Sequence, residues 1–245
     1  MNVLILSGSP KKRFSASAFF AGVLQTMLAG CRFTKRTLGS KNNYGEIFEY
    51  MKIADAVVIT SPIYVDGIPS HVLDFLREAE RFCRENACSF NMYVISNSGF
   101  IEGKQNRPHL EQYRCWCERA GITWGGGMGI GGGVMLHVLF YVLLVNIALF
   151  AVKVIFNLVS GAMPVSVTEL LPLGRSALSW LFFNSGMLLF MGMLAYSIRK
   201  RACMKNKYTR AMVPSFLFLI FADIFMLISA LFKGKLIFSL YKRDE

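Results

Sequence analysis

The chain has 245 residues, of which 54% are hydrophobic, and a net charge of +12. The first 133 residues carry a net charge of +4 and the remaining 112 carry +8, and no Asp or Glu lies between Arg119 and Thr168 or between Leu170 and Ala222. A surface helix of a soluble domain needs a charged face, so these carboxylate-free apolar stretches exclude a single ordinary soluble globule. The C-terminal cations form short clusters between apolar runs instead of alternating with aromatic residues, which argues against a nucleic-acid partner.

The first part of the chain alternates apolar strands with amphipathic helices. The pattern predicts strands at 3–6, 56–60 and 92–95, and helices at 15–28, after Pro69, and at 108–120. Continuous apolar runs that are closed by turns and followed by helices are typical of strands buried on both faces of a parallel sheet. The predicted fold is therefore an α/β doubly wound sheet, in which ligands bind at the carboxyl ends of the strands.

Two segments of this region have weaker patterns. Residues 32–37 are predicted as an edge strand and 44–51 as a short helix. The glycine-rich run Gly125–Gly133 contains a G-x-G-x-x-G sequence at 127–132. No acidic residue follows at the distance that a dinucleotide site requires, so we interpret the run as a close-packed turn and hinge after a short strand at 122–124.

The C-terminal region predicts an all-α membrane part with two or three transmembrane helices. Three apolar segments, at 134–152, 177–198 and 212–232, each have about the 20 residues that a bilayer-spanning helix needs. The six cations between Arg199 and Arg210 place that loop on the cytoplasmic side, together with the N-terminal domain. Two alternatives stay open: the third segment is re-entrant or interfacial, or 134–158 is the last helix of the sheet domain. The domains are predicted as 1–133 and 134–245, in a multi-pass protein of the cell membrane.

The cysteine and histidine residues do not have the sequence spacing of a metal site. The six cysteines form no Cys-x-x-Cys pair and no His lies nearby, so we predict reduced structural thiols and no metal site. Glu102 and His109 lie near the strand ends; we predict a solvated loop pair, with contact to a substrate as the alternative. Asp223 lies within the third apolar segment, and we predict a hydrogen bond to Asn146, Asn184 or Ser185, with a structural or a quinone or proton role.

Three predicted loops follow neighbouring strand ends. The first is Gly8-Ser9-Pro10-Lys11 through Ser17, which offers hydroxyls, cations and a helix N-terminus to a phosphate group. The second runs from Ser61 to Pro69, and the third from Ser96 to Glu102. Loops that converge at one edge would hold a single ligand, with its phosphate at the first loop and a planar ring at the other two.

These three loops, in this order and spacing, resemble those of the flavodoxin-like NAD(P)H-dependent FMN oxidoreductases. The resemblance covers residues 1 to about 133, and the loop around Tyr64 is its most specific part. It implies that Ser9, Lys11, Ser15 and Ser17 hold the FMN phosphate. It also implies contacts of the flavin ring with one loop, at Pro62, Ile63, Tyr64 and Val65, and with another, at Asn97, Ser98, Gly99 and Phe100.

The resemblance implies that FMN carries the chemistry, with no catalytic side chain, NADPH or NADH as the electron donor and a quinone or similar small acceptor. The leading hypothesis is a membrane-tethered flavoprotein oxidoreductase in a lipid bilayer, with a homodimer as a possible assembly. The alternative is a flavin-free degenerate domain that acts as a membrane-bound binding or assembly module. A third hypothesis is a soluble enzyme whose apolar C-terminal half packs at an oligomer interface.

Overall fold

The structure is a computed structural model that describes residues 1–10, 15–39, 43–64, 67–161 and 167–232. In the described part, a six-stranded parallel sheet has the order β2-β1-β3-β4-β5-β6. The strands are β1 Asn2–Ser7, β2 Arg32–Thr37, β3 Ala56–Pro62, β4 Asn91–Asn97, β5 Thr123–Ile130 and β6 Lys207–Tyr208. The helices are α1 Ala16–Met27, α2 Tyr44–Ile53, α3 Ser70–Glu85, α4 Arg107–Ala120, α5 Gly133–Ser160, α6 Val167–Lys200 and α7 Ser215–Phe232.

The first five strands have the order 2-1-3-4-5, which is that of the flavodoxin-like doubly wound fold. Strands β1, β3 and β4 are almost fully buried because both faces of the sheet are covered. Helices α2, α3 and α4 cover one face, around Phe75 and Trp116. Helix α1 and parts of α5 and α6 cover the other, around Phe20 and Met191. The predicted α/β fold and the strands and helices of its first 120 residues are thus confirmed, including the edge strand 32–37.

The glycine-rich run is a strand, so the interpretation of it as a turn and hinge was wrong. Residues Thr123–Ile130 form β5, which pairs with β4 and β6. The glycines are needed because neighbouring groups approach the strand closely. A Cβ atom on Gly125 would lie 2.5 Å from the Tyr93 ring, and one on Gly127 would lie 2.8 Å from Leu110. The glycines therefore let a ring and a helix pack directly on the backbone of β5.

The second predicted span, 177–198, is only partly an exposed apolar helix. The C-terminal half of α6 packs on the sheet, where Met187, Met191, Leu194 and Ile198 are all almost completely buried. The N-terminal half exposes large side chains, including Leu178 at 68%. The apolar periodicity of residues 187–198 thus belongs to the core of the sheet domain, and the exposed helix lies before it.

The compact unit therefore extends beyond the boundary at Gly133 that composition predicts. Residues Met1–Ala211 form one unit, because α6 and β6 complete the sheet domain, and Met212–Glu245 form a second. In the described residues, two helices are long and apolar enough to cross a membrane, within Gly133–Ser160 and Leu170–Lys200. The third predicted span corresponds to α7, whose apolar stretch Ser215–Ile228 is shorter.

Candidate functional site

The three predicted loops meet at the carboxyl edge of the sheet because they follow the adjacent strands β1, β3 and β4. The chain leaves β1 toward β2 on one side, and β3 lies on the other side, so the crevice between β1 and β3 is the topological switch point. Ligands of doubly wound sheets bind at such a crevice. The order of the strands therefore places the loops where the fold favours a binding site.

The first loop lies close against β3. The Gly8 amide donates to the Thr60 carbonyl at 2.8 Å, and a Cβ atom on Gly8 would lie 3.0 Å from Val72 and 3.1 Å from the Ser61 hydroxyl. Ser9 is buried. Lys11, predicted to bind phosphate, lies outside the described residues. The absence of a side chain at residue 8 is what allows this close approach.

Helix α1 begins at this loop. Ser15 is its N-cap, and the Ser15 hydroxyl accepts a hydrogen bond from the Ala18 amide at 3.1 Å. The first turn contains no acidic residue. The partial positive charge of the helix N-terminus is thus not neutralised by a carboxylate of its own first turn, which suits an anion such as phosphate.

The second loop contributes Pro62, Ile63 and Tyr64, and Val65 lies outside the described residues. The Ile63 amide donates to the Asn97 carbonyl at 3.0 Å and so joins the second loop to the third. Tyr64 and Gly67 exchange two backbone hydrogen bonds, of 3.1 and 3.0 Å, which define a tight turn. The Tyr64 side chain is 47% exposed. About half of Tyr64 is therefore accessible to a bound planar ring.

The third loop is hydrogen-bonded to α1 and β5 on one side and exposed on the other. The buried Ser17 hydroxyl donates to Asn97 Oδ1 at 2.9 Å, which ties α1 to the end of β4. The Ser98 amide donates to the Ile130 carbonyl. Phe100 is 50% exposed, and no atom lies within 4 Å of the position of a Cβ on Gly99. Asn97, Ser98 and Ser17 therefore shape the loop, while Gly99 and Phe100 present its open side.

The sequence did not predict a buried polar network next to the third loop, formed by Ser96, Asn106 and His109. The Asn106 amide nitrogen donates to the Gly103 carbonyl at 3.0 Å and to the Ile130 carbonyl at 3.3 Å. Its Oδ1 atom must then accept the Ser96 hydroxyl proton, at 2.7 Å. The Ser96 oxygen also contacts His109 Nδ1 at 2.6 Å, so Nδ1 carries the proton that this contact requires.

His109 is therefore the Nδ1–H tautomer, with Nε2 buried and without a hydrogen-bond partner. Burial lowers the pKa of His109 to about 4. The prediction of a solvated pair of Glu102 and His109 was wrong, because His109 is fully buried on α4 and Glu102 pairs with Arg210 at 3.0 Å. The apolar spacing of α4 contained the signal, since position 109 lies four residues before the buried Tyr113 and seven before the buried Trp116, on the same face of the helix.

The residues of this edge fit FMN in their donor chemistry and in their open surface. A helix N-terminus with a Ser cap and no acidic first turn suits the phosphate. Two half-exposed aromatic side chains, Tyr64 on the second loop and Phe100 next to the open position of Gly99 on the third, suit a planar ring. In the part of the chain that the structure describes, no group of three or more His, Cys, Asp or Glu side chains is placed to hold a metal ion.

No protein-family model matches the chain, and no curated protein matches it in sequence. Solved structures similar to it include the Trp repressor binding protein from Bacillus subtilis, at 14% identity and a TM-score of 0.44, over 51% of this chain and 85% of that one. A flavodoxin, WrbA-like protein from Agrobacterium tumefaciens is 12% identical with a TM-score of 0.44, over 81% and 98% of the two chains. An NAD(P)H:quinone oxidoreductase from Methanothermobacter marburgensis is 17% identical with a TM-score of 0.35, over 41% and 65%. At these scores the residues of the site, and not the neighbours, carry the functional argument.

Proposed function

We propose that the protein is a membrane-tethered flavoprotein oxidoreductase that passes electrons from NADPH or NADH through FMN to a quinone or a similar small acceptor. The observation that carries the proposal is the convergence of an acid-free helix N-terminus and two half-exposed aromatic side chains at the switch point of a flavodoxin-like sheet. FMN, when bound, supplies the redox chemistry. The chain supplies position, hydrogen bonds and an open face.

Each loop has a distinct task in this proposal. The loop from Ser9 to Ser15, with Lys11, holds the phosphate at the N-terminus of α1. The backbone of Pro62 and Ile63 passes beside the ring, and Tyr64 covers part of it. On the other edge, Gly99 leaves room for the ring and Phe100 contacts it. Ser17, Asn97 and Ser98 are positioning residues, because their side chains are already bonded within the protein or buried.

The membrane part of the proposal rests on α5 and α6. The most apolar stretch of α5 has a mean hydropathy of 2.5, and none of it is buried in the protein. We propose that these helices form a hairpin that enters the membrane and returns, so that the N-terminal domain and the cations from Arg199 to Arg210 lie on the cytoplasmic side. The six cations follow the C-terminal end of the hairpin, where the charge rule favours the cytoplasmic side, against Lys153 and Arg175 toward its far end.

The phosphate site is tested by two variants of the helix cap. Ser15→Asp and Ser15→Asn both keep a side chain that caps helices well. Only the aspartate places a negative charge where the FMN phosphate would bind. Like charges about 4 Å apart repel by several kcal/mol at the protein surface, so Ser15→Asp is expected to weaken FMN binding tenfold or more.

The measurement is the quenching of FMN fluorescence on titration with detergent-purified protein. The Ser15→Asn variant is the matched control and is expected to bind FMN within a few-fold of the unmodified protein. Equal binding by both variants would contradict the phosphate site. If the unmodified protein takes up no FMN at all, the flavin-free binding or assembly module is the better account.

A further inference from the structure

Helix α5 begins directly at the candidate site. The Gly132 amide, one residue before α5, donates to the Phe100 carbonyl, and the Gly133 amide donates to the Ser98 carbonyl at 2.9 Å. A Cβ atom on Gly133 would lie 3.1 Å from the Asn97 side chain. The third loop of the site and the base of α5 are therefore in direct contact.

The helix then leaves the sheet domain. In α5 only Gly133, Leu136 and His137 are buried, and Phe140 still contacts Phe19 of α1 with ring centroids 5.1 Å apart. Beyond Phe140, α5 is covered only in part, and large side chains such as Val159, at 84%, are exposed. The 20 residues that follow Phe140, up to Ser160, extend about 30 Å, which is the thickness of the hydrocarbon core of a bilayer.

Helix α6 returns along α5 and then crosses the sheet. Phe140 packs on Trp180 with centroids 6.1 Å apart, and Asn146 donates to the Ser176 hydroxyl at 3.2 Å. Further along, α6 runs over the buried face of the sheet until Arg201 pairs with Asp55 at the amino edge, at 2.6 Å. Since α6 is one continuous helix, its exposed N-terminal half and α5 both project beyond the carboxyl edge.

The two edges of the sheet differ in their exposed side chains. The described part of the carboxyl edge exposes two aromatic residues, Tyr64 and Phe100, and two basic residues, Lys104 and Arg107, beside the ion pair of Glu102 with Arg210. The amino edge carries the ion pair of Arg201 with Asp55 and exposes the aliphatic Ile53. Tyr prefers the membrane–water interface, exposed Phe inserts at the boundary of headgroups and acyl chains, and basic residues are attracted to anionic headgroups.

We propose that the carboxyl edge of the sheet rests on the headgroup layer of the membrane, so that the candidate site opens at the lipid surface. The α5–α6 hairpin fixes this orientation, because it leaves the domain at that edge and has the length of one bilayer crossing. Tyr64 and Phe100 lie at the level of the headgroups. This orientation does not depend on the cofactor. It implies that the electron acceptor reaches the site from the lipid phase, and this implication rests on the proposed function.

The orientation is tested with one added tryptophan probe at a time, in vesicles that contain lipids brominated near the headgroup. Trp180→Phe removes the tryptophan of the hairpin, and the two remaining tryptophans of the sheet domain provide the baseline. Phe100→Trp and Tyr64→Trp then place a probe at the carboxyl edge. Ile53→Trp, at a position that is 62% exposed at the amino edge, is the matched control. Because all three positions are exposed, the substitutions are expected to leave the fold intact.

We expect the probes at positions 100 and 64 to lose emission in brominated vesicles and the probe at position 53 to keep it. Equal quenching at all three positions, or no quenching at 100 and 64, would overturn the orientation. The orientation would also be overturned if the protein did not float with vesicles in a density gradient, which is the result expected if a second copy covers the hairpin. FMN binding is titrated separately on the unmodified protein. Quenching of the tryptophan probes by brominated lipid without FMN binding would support the orientation and refute the proposed function. FMN binding without such quenching would refute the orientation and support the proposed function.

Discussion

The buried His109 makes the stability of the sheet domain depend on pH in a defined way. Its Nδ1–H donates to Ser96, its Nε2 has no partner, and burial lowers its pKa to about 4 from an ordinary value of 6.5. The unfolded chain therefore takes up a proton at this residue as the pH falls below about 6.5, and the folded protein does so only near pH 4. Protonation in this window favours the unfolded state, so stability is lost as the pH falls.

The two pKa values give the magnitude. The full shift corresponds to about 3 kcal/mol, and the part that is lost between about pH 8 and pH 5 is about 2 kcal/mol. His109→Asn removes the titration while its side-chain amide keeps a donor near the position of Nδ1. The variant loses the packing of the ring against Tyr113, so we expect it to be less stable than the unmodified protein at pH 8.

The assay is urea unfolding of the full chain in a non-ionic detergent, followed by tryptophan fluorescence, to which the buried Trp116 of the sheet domain contributes. The unmodified protein is expected to lose about 2 kcal/mol more than His109→Asn between about pH 8 and pH 5. Comparing the two proteins at each pH cancels the contribution of the other titratable groups. An identical pH dependence in the two proteins would refute the buried neutral histidine.

Two further predictions concern the packing of the sheet domain, each with a matched control. Leu194→Ala, in the buried half of α6, is expected to lower the free energy of unfolding in urea by about 2–5 kcal/mol. Leu189→Ala, at a residue that is 63% exposed, is the control and is expected to have little effect. Equal effects of the two substitutions would contradict the packing of α6 on the sheet. Gly125→Ala is expected to lower the stability by about 1–3 kcal/mol, because its Cβ atom would lie 2.5 Å from the Tyr93 ring. Gly99→Ala, with open space around its Cβ atom, is the control, and equal thermal unfolding temperatures of the two variants would contradict the close approach at β5.

The first 120 residues are predictable because their apolar runs have a single structural solution. A short run such as Val3–Leu6, closed by Gly8 and followed by an amphipathic helix, is buried on both faces only in a parallel sheet. Successive strands of this kind bring their following loops to one edge. The place of the candidate site could therefore be predicted from the sequence, before any contact between the loops was known.

The end of the sheet domain could not be predicted in the same way. Residues 177–198 are apolar enough for a membrane span, and the second half of them, 187–198, is apolar because it packs on a sheet. Composition does not distinguish a lipid neighbour from a protein core, so the boundary near Gly133 and the second span were placed without the contacts of Met191 and Leu194. Strand β6 has only two residues and pairs with β5, so it gives no pattern of its own.

The glycine-rich run and His109 show the same limit within the sheet domain. Glycines usually mark turns, and only the close approach of Tyr93, Met204 and Leu110 explains why a strand needs them at 125–127. A histidine next to a loop is ordinarily solvated. Its burial here depends on Ser96 and Asn106, which the fold brings together from β4 and from the turn before α4.

The central claim is that this edge of the sheet binds FMN and passes electrons through it. The most direct test is the visible absorption spectrum of the detergent-extracted full chain, supplied with FMN and freed of excess, before and after NADPH is added without oxygen. We expect flavin absorbance that stays with the protein, is bleached by NADPH, and returns when a quinone is added. A protein that stays colourless after FMN is supplied, or whose bound flavin NADPH and NADH do not bleach, would contradict the account.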